Sequence, residues 1–126
     1  MRPRASVLTE QELEIMKIVW GREQVTVRDV YETILERRKV AYTTVLTMLR
    51  ILEEKGYLTK SASEKAHVYR AAKAKERVVG GMVSEFLQRV FDGAAKPLLL
   101  HLVENREVSA KEMEEIAAIL KKGKKR

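Results

Sequence analysis

The chain of 126 residues has no cysteine. That excludes disulfide bridges, thiolate zinc sites and cysteine nucleophiles. Histidine is almost as scarce, with only His67 and His101. No apolar run approaches a membrane span, and the opening MRPRASVLTEQE lacks the apolar segment of a signal peptide, so no membrane insertion and a cytoplasmic location are expected. A glycine-rich phosphate loop, a nucleophile elbow and paired carboxylates in an apolar setting are also missing. His101 and Glu104 stand at i, i+3, which in principle offers two metal ligands. A satisfied interface histidine is the simpler reading, so neither a metal, a cofactor nor an enzyme is expected.

What is present is charge, unevenly placed. The net charge is +7. Residues 5–36 hold three basic and seven acidic side chains, whereas residues 37–70 hold eight basic and three acidic. A positive middle beside a negative first third suggests a surface that faces a polyanion, with double-stranded DNA the leading candidate. The closing KKGKKR reads as a solvated basic tail. At 45% hydrophobic the chain can fold, but either half alone makes a marginal core.

The organising stretch is Tyr42 to Gly56, YTTVLTMLRILEEKG. On a helix, Val45, Met48, Leu49 and Leu52 form one apolar stripe. Thr43, Thr47, Arg50 and Glu54 lie opposite, with Leu46 on the flank. Hydroxyls, methyls and an arginine are groups that can read base edges in a major groove. Gly56 supplies the stop. The N-cap is either Ala41 or Thr43.

Three other helix starts share one grammar. Thr9/Glu12, Thr26/Asp29 and Ser109/Glu112 are spaced as capping boxes, each flanked by an apolar staple pair. The first helix is expected over about Glu10 to Trp20, burying Leu13, Met16, Val19 and Trp20. After a brief extension at Val25 to Val27, the second is expected over about Val27 to Arg38, burying Val30, Ile34 and Tyr31. Arg37, Arg38 and Lys39 would then sit at the negative end of its dipole. After Gly56 the period changes. Tyr57 to Ser61 and His67 to Ala71 read as two strands of a hairpin. Three helices followed by a hairpin holding Lys60, Lys65, His67 and Arg70 make a winged helix-turn-helix, assigned to residues 1–72.

Residues 73–126 read as a second, helical unit. A helix over about Ala74 to Phe91 is apolar around half its circumference or more, wider than one packing surface requires. Leu98 to Val103, behind Pro97, is apolar except for His101. The last helix, about Ala110 to Lys122, is expected to bury Met113, Ile116, Ala117 and Leu120. Three short helices cannot bury this surface alone, so a second copy of the chain is the expected cover. Val79, Met82, Val83, Phe86, Val90, Leu99, Leu102, Ile116 and Leu120 are the expected dimerisation residues. The fold class is thus mainly α with a small β-wing: an N-terminal winged helix and a C-terminal three-helix dimerisation domain.

The stretches LTEQELEIMKIVW, VTVRDVYETI, AYTTVLTMLRILEEKGYL, KAHVYRA, FLQRVFDG and VSAKEMEEIAAILKK resemble the penicillinase-repressor family over nearly the whole chain. The most specific piece is the string Thr44, Val45, Thr47, Leu49, Leu52, Lys55 and Gly56. The resemblance implies a dimeric bacterial repressor whose winged helices bind a palindromic operator. In the antibiotic-responsive members, a membrane sensor protease system signals cleavage within the C-terminal domain. Matched to the family pattern, Thr43, Leu46, Thr47 and Arg50 would read bases. Thr44, Arg38, Lys39, Lys65 and His67 would hold the DNA backbone. Three departures stand out. Leu46 and Ile51 occupy positions often basic in the resistance repressors, which implies a different operator sequence. The scissile pair of those repressors aligns with His101-Leu102, and the cysteine pairs of copper-responsive members are missing. A different class of function, a winged helix that binds an acidic protein partner instead of a specific operator, would show only weak, salt-labile and sequence-blind DNA binding.

Overall fold

A computed structural model describes residues 8–62 and 67–123. In chain order these form α1 (Glu10–Trp20), α2 (Val27–Leu35), α3 (Tyr42–Glu54), β1 (Leu58–Ala62), β2 (His67–Ala71), α4 (Lys75–Phe91), α5 (Ala95–Glu104) and α6 (Ala110–Gly123). The chain is mainly helical, with a two-stranded antiparallel wing.

All three capping boxes close. The Glu12 N–H donates to Thr9 Oγ1 at 3.1 Å, and the Thr9 N–H donates to the Glu12 carboxylate at 2.9 Å. Thr26 and Asp29 repeat this at 3.0 and 2.9 Å, and Ser109 and Glu112 at 3.1 and 2.8 Å. Each box satisfies two donors by local side chains, and such a cap contributes about 1 kcal/mol. Helix α3 starts differently, from Ala41 in an extended conformation without any side-chain cap bond. Its far end closes around Gly56, whose φ of +90° is the left-handed conformation that favours glycine. The Tyr57 N–H reaches the Leu52 carbonyl at 2.9 Å and the Gly56 N–H that of Glu53 at 3.0 Å, a Schellman closure.

The wing pairs Leu58 with Ala71 through Ala62 with His67. Val25 bridges to Tyr69 with two backbone bonds of 2.8 and 3.0 Å, so the brief extension expected before α2 adds one rung to the wing. The core of this unit is Ile15, Met16 and Val19 from α1, Val30 and Ile34 from α2, and Val45, Leu49 and Leu52 from α3. Val25, Leu58 and Tyr69 complete it. Several expectations need correction. Leu13, Trp20 and Met48 are only half-buried, because α1 turns Ile15 and the capping carboxylate of Glu12 inward, and α3 turns Leu49 and Leu52. The Trp20 indole N–H donates to the Lys73 carbonyl at 3.0 Å, keeping the ring near the surface. Helix α2 ends at Leu35, not Arg38, since the N–H groups of both Arg37 and Arg38 converge on the Ile34 carbonyl.

Residues to Gly81 cluster as one unit and those from Met82 as another. The second strand of the wing ends at Ala71. The first turns of α4 nevertheless group with the winged helix, where Val78 is buried. In the second unit no residue of α5 or α6 is buried. Ile119 and Leu120 are 69% and 65% exposed, and Val83, Phe86, Val90, Leu99, Leu100, Val103 and Ile116 are exposed as well. Phe86 and Phe91 meet edge-on with ring centroids 6.0 Å apart.

Candidate nucleic-acid interface

Three fully buried side chains, Val45, Leu49 and Leu52, fix the rotation of α3 about its axis. The helical repeat then leaves Thr43, Thr47, Arg50 and Glu54 exposed on the opposite side. Leu46 lies half-buried on one flank. Thr44 lies on the other, in an open groove with Thr9 and Gln11 of the α1 start and with Thr47, Met48 and Ile51. The arrangement presents hydroxyls, methyls and one guanidinium from a single helical face. Among the described residues Arg50 makes no ion pair, so its five N–H donors are available to a base edge or a phosphate.

Ile51 belongs to this outward face too, and the expected reading set omits it. Its signal was available, since it stands four residues after Thr47 on the same helix.

The expected backbone-holding cations are not equivalent. Arg38 is committed to Glu14 at 2.7 Å, and Arg37 approaches the same carboxylate at 3.8 Å. That hydrogen bond raises the Arg38 pKa further above its usual value, so the guanidinium stays charged but is already paired. Lys39 is exposed in the turn between α2 and α3. His67 is exposed at the start of β2, opposite Ala62. Lys65 lies outside the described residues. On the wing itself, Lys60 approaches Glu53 at 3.9 Å and Arg70 donates to Gln24 at 2.7 Å.

The end of α3 is tied to the start of α1 by an ion pair whose carboxylate is buried and whose ammonium is partly exposed. Lys55, the C-cap of α3, donates to both Glu12 carboxylate oxygens at 2.9 and 3.1 Å. A cation there also meets the negative end of the α3 dipole. Burial pushes the phenols of Tyr57, which lies near this pair, and of Tyr69 up from their usual pKa.

In the second unit, His101 is exposed on α5 and Leu102 is half-buried, both within an intact helix. The Asn105 side-chain amide donates to the His101 carbonyl at 2.8 Å. Among the described residues no cluster of three or more potential ligands could hold a metal ion, and no helix is long and apolar enough to cross a membrane.

The penicillinase repressor family model matches residues 8–122. The chain is 34% identical over 99 residues to the transcriptional regulator BlaI of Mycobacterium tuberculosis, covering 77% of this chain and 72% of that one. It is 27% identical over 109 residues to the penicillinase repressor of Staphylococcus aureus, covering 86% of each. The solution structure of the DNA-binding domain of the repressor BlaI superposes with a TM-score of 0.52 at 23% identity. It covers 59% of this chain and 90% of that domain, a likeness of fold.

Proposed function

The chain belongs to the penicillinase-repressor family, and from that premise we propose that it represses transcription by binding a palindromic operator as a homodimer in the cytoplasm. The family consists of transcriptional repressors, not enzymes. The observation that carries the reading is the outward face of α3, where Thr43, Thr47 and Arg50 stand exposed while the buried face locks the helix in place. Thr43, Leu46, Thr47 and Arg50 read bases. Thr44, Lys39, Lys65 and His67 hold the phosphates, with Arg38 joining them only by leaving Glu14. Residues 1–72 act as the DNA-binding domain.

Residues 73–126 act as the dimerisation domain. The exposed apolar side chains Val83, Phe86, Val90, Leu99, Ile116 and Leu120 support this, since a unit with no buried residue in α5 or α6 has no core of its own. Val79, Met82 and Leu102 are half-buried in one chain and complete the proposed dimerisation set. Two-fold symmetry then sets half-sites about one helical turn apart or a multiple of it. Relief of repression by a membrane sensor protease system, with cleavage at His101-Leu102, requires α5 to open first, because a protease takes an extended segment and this pair is helical.

Selection of bound sequences from a random duplex pool tests the proposal. A palindromic consensus is expected. Sequence-blind binding that vanishes with moderate salt would instead favour an adaptor that uses its basic wing on an acidic protein partner.

A further inference from the structure

The first turn of α3 lacks what α1, α2 and α6 each have, a side-chain cap. Only its last residue, Val45, enters the core. Tyr42, Thr43 and Thr44 are all exposed, and the first residue of α3 sunk in the core is Val45. Beside Val45 and the groove shared with the start of α1, an aromatic pair holds this turn. The Tyr42 ring meets the Tyr31 ring of α2 edge-on, with centroids 5.3 Å apart and planes at 75°. The Arg28 guanidinium stands 6.0 Å from the Tyr42 centroid on the same helix as Tyr31. Arg28 is itself held by Glu32 at 3.3 Å. An edge-to-face pair of this geometry resists sliding and tilting, because the positive ring edge must stay over the negative face.

We propose that Tyr31 is a positioning residue for operator recognition. By gripping Tyr42 it adds a second hold on the opening turn of α3, beside the buried Val45, and so aims Thr43, without itself touching DNA. The proposal rests on the operator-binding reading above. The ring contact does the aiming; the Tyr31 hydroxyl has no part in it.

The test compares affinities of the full chain for its selected operator and for a scrambled duplex, at two salt concentrations, with the melting temperature measured alongside. Tyr31→Ala should lower the operator-to-scrambled ratio by about five- to tenfold, the scale of a lost aromatic pair. The salt slope should not change, because the phosphate contacts remain. Tyr31→Phe should keep the wild-type ratio. Tyr31→Leu, which keeps a large apolar side chain while deleting the ring edge, should lose discrimination as the alanine variant does. Equal weakening on both duplexes would overturn the proposal, since that is what a purely stabilising residue gives. So would a Tyr31→Phe variant as poor as Tyr31→Ala. A wild type with no sequence preference would sink the operator reading and this proposal together. A discriminating wild type with equally discriminating Tyr31 variants would sink this one alone.

Discussion

Replacing Glu12 by glutamine tests the tie between the start of α1 and the end of α3. The residue is 5% exposed and its carboxylate receives the Thr9 N–H at 2.9 Å and the Lys55 ammonium at 2.9 and 3.1 Å. Glutamine keeps the shape and an acceptor for Thr9. It also turns an amide donor toward Lys55 and removes that ammonium's counter-charge. Removing one partner of a buried pair typically costs about 3–5 kcal/mol. The Lys55 side chain is 22% exposed, so water recovers part of its hydration. The expected loss is therefore about 2 kcal/mol, against a total stability of about 5–15 kcal/mol. Urea unfolding at fixed protein concentration should show a lower midpoint with an unchanged slope.

The pH dependence has a definite sign. Burial alone would raise the Glu12 pKa, but the Thr9 backbone N–H and the Lys55 ammonium together outweigh it and hold the folded value below the usual 4.5. A depressed carboxylate stabilises the fold above its unfolded pKa, and that stabilisation is lost as pH falls through the folded value. The difference between wild type and Glu12→Gln should be full near pH 7 and narrow below about pH 4.5. Lys55→Met in either background should show coupling of about 1–2 kcal/mol. A difference under about 1 kcal/mol, or one unaltered in acid, would refute the reasoning, because an exposed pair contributes up to about that much.

Arg50→Ala should cost about 1–3 kcal/mol of operator affinity and relax preference at one base pair, whereas His67→Ala should weaken all duplexes alike, both read by binding to single-base operator variants. Leu120→Glu should leave the winged helix folded but shift sedimentation toward a single subunit, since that side chain is already 65% exposed in one chain. Gly56→Ala meets no atom within 4 Å yet must hold φ +90°, so thermal unfolding should show a loss of about 1–2 kcal/mol from backbone strain alone. Arg106→Gly should do the reverse. Arg106 sits at φ +60° behind α5, and the Glu107 N–H bonds to the Leu102 carbonyl at 2.9 Å. Glycine there should raise stability by about 0.5–1 kcal/mol.

Short-range chemistry was readable from the chain itself. The capping boxes at Thr9, Thr26 and Ser109 depend on contacts three residues apart, so spacing suffices to place α1, α2 and α6. Gly56 announces its own left-handed turn, and the apolar stripe of α3 names Thr43, Thr47 and Arg50 as outward by periodicity. The end of α2 was not readable in the same way. Arg37 and Arg38 look like a helix's last cations, yet the turn takes them off the helix and Glu14 of α1 captures Arg38. The partner lies 24 residues away, and no local pattern signals it.

Sequence determined the elements, the winged-helix order and the side of α3 that is polar, because helical and strand periods are local properties of the backbone. Only tertiary structure decided that Glu12 is buried against Lys55 across 43 residues. It likewise decided that Tyr31 grips Tyr42 and that no residue of α5 or α6 is fully buried within one chain. Those outcomes depend on which surfaces meet when separate elements pack, and the free energy of such meetings is not written in any one stretch.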